Sequence, residues 1–88
     1  MSNNNIIICQ SCGLPIYHDT LFGTDKDGKI TKKYCILCYL EGEFTYKDIS
    51  MDTLIEVTSV ILSISESLPI EIAKKICQNT IPTLERWR

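Results

Sequence analysis

Residues 9–15 read CQSCGLP and residues 34–39 read YCILCY, so a chain of 88 residues carries two Cys-x-x-Cys pairs, Cys9/Cys12 and Cys35/Cys38. A tight turn over two intervening residues brings both sulfurs of a pair to one point. The 22 residues between the pairs, Gly13 to Tyr34, are enough for one β-hairpin. Within them, LFGTDKDGKITKKYC reads as two short strands around TDKDGK, where Asp27-Gly28 supplies a residue that accepts positive φ in a tight turn. Gly13, directly after the first pair, suits a backbone position of the same kind.

Four thiols converging across a hairpin are the donor set of a tetrahedral metal site. Zinc takes four such ligands at about 2.3 Å. The spacing therefore predicts one Zn2+ per chain on Cys9, Cys12, Cys35 and Cys38, with iron as the less favoured ion for the same sulfur ligands. An all-cysteine shell is closed and leaves no position for an activating water, so the expected role is structural and the chain is expected not to be an enzyme. The size of the chain agrees with this. A core this small yields only about 3–5 kcal/mol of net stability without a metal, disulfide or partner.

Composition narrows the other classes. Nine Lys and Arg against eleven Asp and Glu give a formal charge of −2, and four thiolates with one divalent ion carry it to about −4. Lys26, Lys29, Lys32 and Lys33 gather near the hairpin but are offset by Asp25 and Asp27. This balance disfavours a nucleic-acid surface. The opening MSNNNIIICQ lacks the basic start and long apolar run of a signal peptide. The most apolar stretch, VILSIS, is too short for a membrane span. The expected address is the cytoplasm, where thiols stay reduced and paired cysteines read as ligands.

Past residue 45 the character changes. Ser50 is placed to cap a helix beginning at Met51, with Asp52 in its first turn. Leu54, Val57, Ile61 and Ile64 fall on one face, widened by Ile55 and Leu62. The β-branched run IEVTSVILSIS leaves a strand as the competing reading. Ser67 and Pro69 mark a second start, after which Ile70, Ala73, Ile76, Cys77 and Thr80 share a face. Pro82 interrupts that helix before TLERWR. The expected fold is a small α+β protein: a ribbon hairpin with two cysteine knuckles over 1–45, and a tail of about two helices over 46–88 packed on it as one domain.

Other chemistry finds little support. Asp25-Lys26-Asp27-Gly28 resembles the start of a calcium loop, but its twelfth position is Ile36 rather than Glu. His18 and Asp19 have no nucleophile or phosphate loop nearby, and four cysteines leave His18 unneeded as a ligand. Cys77 reads as a small buried hydrophobe. Trp87 with Arg86 either packs the last segment onto the core or anchors a partner.

Taken in order, CQSCGLP, FGTDKDGK, YCILCY, GEFT and PTLERW resemble the small bacterial zinc-ribbon domain family, across nearly the whole chain. The resemblance maps the metal ligands onto Cys9, Cys12, Cys35 and Cys38 and implies two knuckles, a hairpin and a helical tail. Members of that family occur alone or joined to regulatory modules, including effector-binding and transcription-regulator domains. The function expected is a non-enzymatic zinc-binding module that mediates protein interaction in a regulatory or transcription-related setting. The alternative is a thiol or iron redox sensor or electron carrier, and below it nucleic-acid binding.

Overall fold

A computed structural model describes residues 6–88. The reading of the opening stretch rests partly on residues 1–5, which lie outside the described residues. The chain divides into two compact units. One contains the residues up to Cys9 and Pro15–Lys47; the other contains Gln10–Leu14 and Asp48–Arg88.

The first unit is built from short antiparallel pairs. β1 (Ile7–Ile8) pairs with β2 (Pro15–Ile16), with Ile7 opposite Ile16. β3 (Phe22–Thr24) pairs with β4 (Ile30–Cys35), which is the hairpin anticipated from TDKDGK. Its turn is organised by Asp25, whose carboxylate accepts the backbone N–H groups of Asp27 at 2.9 Å and Lys29 at 3.1 Å, while Gly28 has φ +83°. The side chain that suggested a calcium loop is thus occupied in a turn of the kind Asp favours.

A third hairpin, β5 (Tyr39–Leu40) with β6 (Glu43–Phe44), was not anticipated. Its two-residue loop places both Glu41 (φ 52°) and Gly42 (φ 83°) at positive φ, the type I′ arrangement that matches strand twist. It is stitched to the central hairpin by Gly42 N–H to the Thr24 carbonyl at 2.9 Å and Glu41 N–H to Thr24 Oγ1 at 3.0 Å. The approach is close enough that a Cβ on Gly23 would lie 2.1 Å from the Tyr39 carbonyl oxygen. Only glycine fits there. Tyr34 of β4 joins Tyr39 and Phe44 of this hairpin in a three-ring cluster with centroids 4.9–5.2 Å apart. Such pairs add about 0.5–1.5 kcal/mol each beyond buried area.

The second unit is helical. α1 (Met51–Glu66) starts at Ser50, whose Oγ accepts the Thr53 N–H at 3.1 Å, as the capping reading required. The strand alternative for this run is overturned. α1 ends at Ser67 in the left-handed conformation (φ 54°), and Ser63 binds the exit: its hydroxyl donates to the Leu68 carbonyl at 2.6 Å and its carbonyl accepts the Leu68 N–H. α2 (Ile70–Thr80) follows Pro69, and 3-10 turns over Ile81–Thr83 and Glu85–Trp87 carry the chain past Pro82.

The buried faces differ from those expected. α1 buries Leu54, Ile55, Thr58 and Ser59, while Val57 and Ile64 of the expected face are exposed. α2 buries Ala73 and Cys77, with Ile70 and Ile76 exposed. The reason is size. Four of these buried residues are small or short, and small side chains let helix backbones approach where branched isoleucines would hold them apart. Ile81 and Leu84 complete this unit's core. An ion pair between Lys74 and Glu56 (2.6 Å) links the helices at the surface, worth at most about 1 kcal/mol.

Candidate metal centre

The first knuckle is the loop between β1 and β2, so the pairing of Ile8 with Pro15 holds the ends of the turn that carries Cys9 and Cys12. Gly13, with φ +80°, supplies the positive-φ position expected after the pair. The second knuckle runs from the end of β4 to the start of β5. Its turn closes through Cys38 N–H to the Cys35 carbonyl at 3.0 Å. It is braced on both sides by Ile36 N–H to the Leu21 carbonyl (2.8 Å) and by Thr45 N–H to the Cys38 carbonyl (2.9 Å). Thr45 Oγ1 also donates to the Leu37 carbonyl at 2.5 Å.

These elements bring the four predicted cysteines together. The Sγ atoms of Cys9, Cys12, Cys35 and Cys38 all lie within 4.8 Å of one another. A tetrahedron of sulfurs about 2.3 Å from a central ion has edges of about 3.8 Å, so the cluster is of the right size to close around one zinc. Each of the four residues is at most 7% exposed. Four thiols gathered in a shielded place, with a donor set that suits zinc, fit a closed metal shell.

The remaining candidates stand elsewhere. His18 is exposed and outside the cluster. Cys77 is buried on α2 and also outside it. With Cys12, Gly13, Leu14, Thr58 and Leu62 it lines a small cleft of about 60 Å3 in the second unit.

Sequence reasoning missed the residues that hold the first knuckle from outside. Ser11 is fully buried, and its carbonyl accepts the Trp87 indole N–H at 2.8 Å. Trp87 is therefore turned to the knuckle, which is the packing reading of that residue. No local pattern could have revealed this, since Ser11 and Trp87 are 76 positions apart.

Residues 8–88 match the family model described as "Putative zinc ribbon domain". The chain belongs to that zinc ribbon family. The match includes both knuckles of the ribbon and the helices that follow. Comparison with curated proteins and with solved structures finds no match. The ribbon is a small α+β protein with a four-cysteine cluster in its strand region, a zinc-binding module by family and by donor set. Among the described residues, no helix is long and apolar enough to cross a membrane.

Proposed function

We propose that this ribbon is a non-enzymatic module that holds one structural zinc through Cys9, Cys12, Cys35 and Cys38 and presents its helical unit to a protein partner. The observation that carries the proposal is the cluster itself: four buried sulfurs within 4.8 Å of one another, supplied by two knuckles. Bound zinc supplies crosslinking of the two knuckles, with about 10–16 kcal/mol of apparent binding energy in structural sites. The protein's contribution is to place the sulfurs. The β1–β2 pair and the Cys35–Cys38 turn do so through backbone hydrogen bonds, which fix positions without side-chain rotamer freedom.

Four cysteines fill a tetrahedron, which supports a structural rather than a catalytic ion. The partner reading rests on exposed apolar side chains. Val57, Val60 and Ile64 are 47%, 51% and 76% exposed along α1, and Ile70, Ile72 and Ile76 are exposed on α2. Exposed apolar groups in this number on a small protein support that reading. The acidic balance of the chain supports a protein partner over nucleic acid, and paired cysteines read as metal ligands rather than disulfides support a cytoplasmic address.

Native mass spectrometry of the purified protein, against its acid-denatured mass, tests the metal. One zinc per chain, retained until denaturation, is the expected result. Iron in its place, or a metal-free protein with intramolecular disulfides, would replace this reading with the redox one.

A further inference from the structure

Gln10 and Ser11, the two residues between Cys9 and Cys12, are gripped by three consecutive residues from the far end of the sequence. Arg86 Nη1 donates to Ser11 Oγ at 2.9 Å, and Trp87 Nε1 donates to the Ser11 carbonyl at 2.8 Å. The Arg86 backbone N–H donates to the Gln10 carbonyl at 3.1 Å, and the Glu85 N–H donates to Gln10 Oε1 at 3.1 Å. All four bonds lie within the second unit, which contains Gln10–Leu14 and Asp48–Arg88. The Arg86 guanidinium also lies 4.7 Å from the centre of the Trp87 ring, so the two side chains restrain each other.

A ligand loop held in this way has little freedom. Ser11 is fully buried, so losing a donor leaves a buried polar atom of the knuckle without that bond rather than with a water in its place. Arg86 further brings a permanent positive charge next to a loop whose two flanking cysteines bind metal as thiolates. We infer that Arg86 and Trp87 are positioning residues for the metal site: they fix the first knuckle in its ligating shape, and metal in the knuckle in turn orders the Glu85–Trp87 segment. This rests on the zinc reading above, and it adds that ion retention depends on residues that do not touch the ion.

The test uses the full chain loaded with zinc, with Arg86→Ala, Arg86→Lys and Trp87→Phe made alongside wild type. Trp87→Phe keeps an aromatic ring while removing the N–H donor together with the second ring of the indole. The readouts are the rate of zinc transfer to a chelating indicator, the absorption bands of the cobalt-substituted protein, which report the symmetry of a thiolate tetrahedron, and far-UV circular dichroism. Outer-shell partners of metal ligands are worth about 10–100-fold in affinity. Zinc release about tenfold faster in Arg86→Ala and in Trp87→Phe, with shifted cobalt bands, wild-type helicity and partial recovery in Arg86→Lys, is the expected result. Wild-type release rates and cobalt bands in both variants would overturn the inference while leaving the zinc reading intact, and a wild-type protein that takes up no metal would overturn both. A second measurement avoids variants: Trp87 is the chain's only tryptophan, so its emission should shift to the red as zinc is withdrawn, in step with metal loss. Unchanged emission in metal-depleted protein would refute the coupling.

Discussion

Replacing Gly23 with alanine is the sharpest test of how the first unit is assembled. The added Cβ would stand 2.1 Å from the Tyr39 carbonyl oxygen, 3.0 Å from its carbonyl carbon and 3.2 Å from its Cβ, where ordinary contact begins at 3.4 Å. The obstacle is backbone, so no rotamer change relieves it, and β3 and β5 must separate by about 1.3 Å. Overpacking of this kind costs about 1–3 kcal/mol. The separation also strains the Gly42 N–H to Thr24 carbonyl and Glu41 N–H to Thr24 Oγ1 bonds, each worth about 1 kcal/mol net. The expected loss is therefore about 2–5 kcal/mol, comparable to the whole margin of about 3–5 kcal/mol that a core of this size supplies. Tyr39 directly follows Cys38 of the four-cysteine cluster, so zinc affinity should fall with stability. Urea unfolding of the zinc-loaded protein and competition with a chelating indicator measure the two effects. Gly28→Ala is the control: nothing lies within 4 Å of its added Cβ, so only the left-handed backbone is penalised, by about 1–2 kcal/mol, with zinc affinity unchanged. A Gly23→Ala protein with the wild-type urea midpoint and affinity would refute the close approach of Gly23 to the Tyr39 backbone described above.

Four further outcomes are expected. Cys77→Ala should cost about 1 kcal/mol by analogy with small core truncations and leave the zinc stoichiometry at one in native mass spectra, because Cys77 is buried apart from the cluster; half-loaded protein would make it a ligand. Ser50→Ala removes the acceptor for the Thr53 N–H and should lower stability by about 1 kcal/mol, seen as a lower melting temperature by circular dichroism at 222 nm in an otherwise α-helical spectrum. Acidification should release zinc as the thiolates are protonated, and unfolding should track metal loss. Lys47 holds the Glu43 carboxyl below its ordinary value through a hydrogen bond and its charge, a contribution present at neutral pH and lost as pH falls through the carboxylate range. That pair is exposed to solvent, so Glu43→Gln should leave the acid midpoint of metal release where it is.

The four-cysteine cluster was legible because its information is local twice over. Each Cys-x-x-Cys specifies its own turn, and Asp27-Gly28 specifies the hairpin that folds one pair onto the other, so three short patterns suffice to assemble a site spanning 30 residues. The central hairpin, the Ser50 cap and the break at Pro69 were legible for the same reason. The β5–β6 hairpin escaped because Glu41 sits at φ 52°, a position where Asn, Asp or Gly would have announced the turn. Glutamate announces nothing, and the turn is instead imposed by Thr24, whose carbonyl and hydroxyl accept the loop's two N–H groups from another hairpin. Contacts between residues distant in sequence, such as Ser11 with Arg86 and Trp87, leave no periodic trace at all.

The helices show a different failure, one of physics rather than distance. Apolar periodicity assumes that the largest hydrophobes face the core, yet Ala73, Ser59, Thr58 and Cys77 are at most 3% exposed while Val57, Val60, Ile64 and Ile72 are among the exposed residues. Burying small residues is compatible with stability provided that the buried hydroxyls are satisfied. Ser59 meets that condition by donating to the Ile55 carbonyl at 2.6 Å, one turn back. With the small residues buried, Val57, Val60, Ile64 and Ile72 are left on the outside, and the exposed apolar surface is the other side of that choice. The run that read ambiguously as strand, IEVTSVILSIS, did so for this reason: it buries Ile55 together with Thr58 and Ser59 while Val57, Val60 and Ile64 face outward, which blurs the single-stripe signal that a one-sided amphipathic helix would show.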